Sequence, residues 1–110
     1  MVSENTVKEL KTWGGGSTFS YKGNVATGTE ITFGESNTVV RITKEQFEQL
    51  LTAFRGKSVK AGTSRDMAPA GSLGHWLQQN ITPRATASYV GAILVDEGYA
   101  EKEGSMIIFH

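Results

Sequence analysis

The segment from Ile42 to Gly56 leaves this chain the least freedom. Thr43 stands three residues ahead of Gln46, the spacing of a capping box, and Ile42 and Phe47 occupy the two positions of a hydrophobic staple. Phe47, Leu50, Leu51 and Phe54 follow at i, i+3, i+4 and i+7, so a helix here carries one apolar stripe that must be buried. Gly56 is its stop. A chain of 110 residues holds one core of ordinary size, so whatever covers that stripe belongs to the same domain.

The residues before the helix read as β-structure. Phe19 and Tyr21 precede a Lys22-Gly23-Asn24 turn, and Thr29, Ile31 and Phe33 alternate with polar or small neighbours. Gly34-Glu35-Ser36-Asn37 reads as a second turn, and Val39, Val40 and Ile42 lie on a returning strand. The expectation is a β-hairpin or three-stranded meander over 18–43, lying on the helices because such a sheet is marginal alone. Upstream, Val7, Leu10 and Trp13 recur every third residue, which predicts a short amphipathic helix capped by Ser3 or Asn5. Gly14, Gly15, Gly16 and Ser17 read as a flexible joint, so 1–17 is an N-terminal arm.

After Gly56 comes a polar loop, 57–71, with room for a short strand at Ser58 to Lys60. Ser72 is positioned to cap a second helix with Leu73, Trp76 and Leu77 on one face, ending near Asn80. Thr82 followed by Pro83 predicts a third helix with proline at its first position, carrying Ala87, Val90, Gly91 and Leu94 and closed by Gly98. A Glu103-Gly104 turn then joins a short strand to the apolar strand Met106-Ile107-Ile108-Phe109.

From 44 to 110 the order is helix, loop, helix, tight turn, helix, β-hairpin, and it resembles a winged helix-turn-helix domain. The run from Thr82 through Tyr89, Leu94 and Asp96-Glu97-Gly98-Tyr99 to Glu103-Gly104 is similar to the recognition helix and wing of bacterial winged-helix DNA-binding regulators. The class implied is α+β: the N-terminal sheet segment, then three helices and a C-terminal hairpin wing, with 18–43 and 44–110 in one compact unit. The resemblance implies double-stranded DNA as partner, with the third helix in the major groove and its N-terminal side chains at the base edges. The residues so assigned are Thr82, Arg84, Thr86 and Ser88, with Arg84 suited to a guanine edge and Thr82 to a phosphate. Each also has a plainer reading, Arg84 as a solvated surface charge and Tyr89 as a core residue leaning on Ile93. The chain departs from the family pattern in its long loop before the second helix and in its acidic wing.

Charge weighs both ways. Lysine plus arginine equals aspartate plus glutamate at 11 each, so a uniformly basic coat is excluded. From Thr52 to Val95 there are five bases (Arg55, Lys57, Lys60, Arg65, Arg84) against Asp66, a net of +4. Lys57, Lys60 and Arg65, with Lys102 in the wing, are the phosphate-contact candidates. Asp96, Glu97, Glu101 and Glu103 leave 96–103 at −3, which repels a DNA backbone. The runner-up is a winged-helix protein-interaction module without DNA contact, in which the N-terminal sheet or its exposed edge pairs with a partner strand. A regulator reading paired half-sites implies a homodimer.

Chemistry has little purchase. There is no cysteine, and His75 and His110 have no carboxylates at ligand spacing, so neither a metal nor another cofactor is expected. Gly14 to Gly16 lack the Lys-Ser/Thr of a phosphate loop, and Ser64-Arg65-Asp66 has no base in sequence reach, so no catalytic residue is assigned. With no bilayer-spanning apolar run and no secretory layout, the expectation is a cytoplasmic protein without a membrane role.

Overall fold

The computed structural model describes residues 7–63 and 68–110. Four strands open it: β1 (Val7–Lys11), β2 (Thr18–Asn24), β3 (Gly28–Phe33) and β4 (Thr38–Thr43). They form an antiparallel meander in the order β1-β2-β3-β4, one strand more than the sequence predicts. Cross-strand register fixes the two faces. Tyr21 lies opposite Ile31 and Ile31 opposite Val40, all buried, while the row Val7, Lys22, Glu30, Arg41 faces solvent. On that outer face Arg41 Nε meets Glu30 Oε2 at 3.2 Å.

The extra strand replaces the amphipathic helix expected near the N-terminus. A helix needs roughly a dozen residues to hold itself together, whereas a five-residue strand gains a ladder at once by pairing with β2. The glycine run is a hairpin loop rather than a loose joint: Thr12 N–H donates to Ser17 O at 2.9 Å and Gly15 N–H to Thr12 O at 2.8 Å. The expected Lys22-Gly23-Asn24 turn is also displaced. Those residues end β2, and the chain reverses over 25–27, where Asn24 Oδ1 accepts from Thr27 N–H at 2.9 Å.

The second half comprises α1 (Lys44–Phe54), β5 (Ser58–Lys60), α2 (Leu73–Asn80), α3 (Ala87–Asp96), β6 (Ala100–Glu103) and β7 (Met106–Phe109). The capping box of α1 is present in both directions, and Ser72 Oγ accepts from His75 N–H at the start of α2. β5, β7 and β6 make a second antiparallel sheet with β7 in the centre. Among the described residues the molecule is thus an α+β fold of three helices and two antiparallel sheets. α1 packs on β3 and β4, α2 on α3, and α3 on β1 and β6. Ile31, Leu50, Leu73, Leu77, Val90, Ile93, Leu94 and Ile107 are completely buried in one continuous core.

α3 starts at Ala87, so Thr82 is not its cap and Pro83 is not its first residue. Two local bonds compete with a helix there. Ile81 and Thr82 N–H both donate to Leu77 O, closing α2, and Thr82 Oγ1 accepts from Arg84 N–H at 3.4 Å, holding 82–84 in a turn. The far end follows expectation: Gly98 N–H bonds Val95 O and Tyr99 N–H bonds Leu94 O, a Schellman closure with Gly98 at φ +84°.

Candidate functional site

The residues proposed to read bases do not form one outward surface. Pro83 and Arg84 are exposed, but on the turn before α3. Thr86 is 1 % exposed, with its hydroxyl unpartnered among the described residues, and so cannot reach a groove. Ser88 is half-buried and its carbonyl accepts the Trp13 N–H at 3.0 Å. Along α3, Ala87, Val90, Gly91, Ile93 and Leu94 are buried, Ser88, Tyr89, Ala92 and Val95 are half-buried, and Asp96 is exposed. A helix that enters a major groove needs an uncovered face of polar side chains. α3 instead carries apolar residues around most of its girth, the pattern of a helix covered on several sides.

The N-terminal sheet supplies that cover. Phe33 stacks on Tyr89 with ring centroids 4.3 Å apart, and Phe19 meets the same ring edge-on at 5.1 Å. Trp13, at the tip of the β1–β2 hairpin, lies against Gly91. A Cβ built at 91 would stand 2.9 Å from the indole Cε3, so the helix reaches the ring only because that residue has no side chain. At the other end of α3, Glu97 accepts from the Tyr21 hydroxyl at 2.8 Å and from Val25 N–H at 3.0 Å. Burial, and then the Glu97 carboxylate, hold the Tyr21 hydroxyl well above the ordinary phenol range.

The phosphate-contact candidates are dispersed. The Lys102 ammonium donates to Trp13 O and lies 5.1 Å from the centroid of its ring, which ties β6 to the β1–β2 hairpin. Lys60 lies opposite Met106 and Met106 opposite Glu103, so base and acid share one face of the second sheet. Lys60 and Lys102 also line one cleft with Trp13 and Gly14, whereas Lys57 lines another with Phe54, His75 and Trp76. Arg65 lies outside the described residues, as do Ser64 and Asp66. His110 Nε2 is 3.9 Å from Glu101 Oε2 on the β6–β7 hairpin. Among the described residues no group of three metal-ligating side chains is gathered, and no helix is long and apolar enough to cross a membrane.

What the fold does present is an edge. β1 is the outermost strand of the first sheet, and Val7 is 53 % exposed. Because Thr12 and Ser17 are a hydrogen-bonded pair, Leu10 and Lys8 also turn their backbone groups toward β2. Val7, Glu9 and Lys11 therefore aim N–H and C=O away from the sheet. Leu10, opposite Phe19, points to the core side and lines a cleft of about 240 Å³ with Trp13, Ala92 and Val95, with Lys11 and Asp96 at its rim. Val7, Leu10 and Trp13 were assigned above to a helical arm. The available signal was the glycine run between two strand-length segments, which marks a hairpin as readily as a joint. No family model, curated protein or solved structure matches the chain.

Proposed function

We propose that this chain is a winged-helix protein-interaction module that makes no direct DNA contact and takes up partner segments by strand addition to β1. The order α1, β5, α2, α3, β6, β7, with β5 paired to β7, is in keeping with a winged helix. The observation that carries the reading is the enclosure of α3: Trp13 against Gly91 and Tyr89 against Phe33 and Phe19 occupy the flank a DNA reader would leave open. The acids of β6 and the engaged Lys102 reduce what the wing could offer a phosphate. The outward N–H and C=O groups of Val7, Glu9 and Lys11 are suited to β-augmentation, in which main-chain bonds give affinity and alternate side chains give selectivity.

Two measurements test it. In a salt titration with duplex DNA, wild type, Arg84→Ala and Lys60→Ala should bind alike and weakly. Steep salt-dependent affinity that falls in both variants would overturn the proposal in favour of a DNA reader. Against extended peptides alternating apolar and charged residues, each in large excess over the chain so that it outcompetes any other occupant of the edge, wild type should capture a subset that Glu9→Pro does not. That proline removes an outward N–H and leaves the β1–β2 ladder intact, as edge strands tolerate. Capture unaffected by Glu9→Pro would place the contact elsewhere.

A further inference from the structure

A second copy of β1 complements the first, and we infer that the chain forms a homodimer by antiparallel pairing of these two edges, joining two four-stranded sheets into one. The inference rests on β1 being the interaction edge, and it names the occupant. A twofold axis normal to the sheet keeps each face on its own side, so the outward backbone groups of Val7, Glu9 and Lys11 must meet the same set on the other copy. Three registers that satisfy this also pair at least three residues of β1 with β1 of the other copy. Centred on Lys8, the pairing sets Lys8 against Lys8; centred on Glu9, it sets Glu9 against Glu9. Both place like charges directly opposite, which is unfavourable.

Centred on Leu10, each Glu9 faces Lys11 of the other copy, and symmetry makes this opposite-charge pair twice. Those residues also carry the outward N–H and C=O groups, so the ion pairs coincide with the hydrogen-bonded positions. Leu10 then meets Leu10 as a non-hydrogen-bonded pair, where side chains come closest. Both leucines sit on the core side, at the cleft lined by Trp13, Ala92 and Val95, and each covers apolar surface that β1 alone leaves open. The register also has a natural end. Val7 of one copy would next face Trp13 of the other, whose N–H is already donated to Ser88.

Sedimentation equilibrium on the full chain tests this. Wild type should run at twice the chain mass at micromolar concentration. Glu9→Lys and Lys11→Glu should each weaken the dimer by about tenfold or more, since each sets like charges opposite in both symmetric pairs. An equimolar mixture of the two single variants should dimerise again, because each then offers the charges the other lacks, and the E9K/K11E double variant should do so alone. A monomer at millimolar concentration overturns the homodimer, as does a dimer indifferent to these substitutions or a mixture that fails to associate. A monomer that still captures peptides in a Glu9→Pro-sensitive way removes the homodimer and leaves the edge reading standing. A charge-dependent dimer that also binds duplex through Arg84 keeps the dimer and removes the module without DNA contact.

Discussion

Gly91 costs α3 about 1 kcal/mol of helix propensity relative to alanine, and the indole of Trp13 occupies the space this opens. Gly91→Ala should therefore destabilise the protein by about 1–3 kcal/mol despite its better propensity, because the ring has to move out of a packed site. Urea denaturation is the check, and a stabilised variant would mean that the ring yields freely. Tyr21 makes the second residue-scale prediction. Its hydroxyl keeps its proton more tightly in the folded state than in the unfolded chain, so its contribution is whole below about pH 10 and is lost as pH rises further. Tyr21→Phe should cost about 1–2 kcal/mol at pH 8, by losing the bond to Glu97, and should flatten the alkaline fall in stability above pH 10. Denaturation of both proteins at the two pH values measures it.

The elements differ in how far their causes lie along the chain, and legibility followed that distance. α1 was readable because Thr43, Gln46, Ile42 and Phe47 are all within one turn of its start. Thr43→Ala should remove about 1 kcal/mol, and Gln46→Ala should cost less once Thr43 is gone, since each bonds the other's backbone. A double-mutant cycle in thermal unfolding checks the coupling. β5, α2 and the β6–β7 hairpin were legible on the same local grounds. The start of α3 was not, because Thr82 and Pro83 are good capping residues whose own turn bond to Arg84 N–H wins locally. β1 was missed because a strand is specified by its partner, and neither Phe19 nor Tyr21 is visible from Val7 or Leu10 as a neighbour. With β1 and β2 lying across α3, Thr86 and Ser88 are interior or half-interior positions.

At the scale of the molecule, sheet and helices share one core, so 18–43 and 44–110 should not unfold separately. The two tryptophans report from different places: Trp13 from the junction of the first hairpin with α3, and Trp76 from α2 beside Phe54. Single-tryptophan variants made by Trp13→Phe and Trp76→Phe should each show one fluorescence transition, coincident with the loss of helical circular dichroism in the same variant. Two separated transitions within either variant would mean that the meander detaches before the helices melt.

The lodging of Trp13 over Gly91 reaches beyond this one chain. A descendant that keeps an indole at the first position packs best with a bare α-carbon at the second, and one that acquires a side chain on the helix has to shift the ring. The two sites should drift together or not at all.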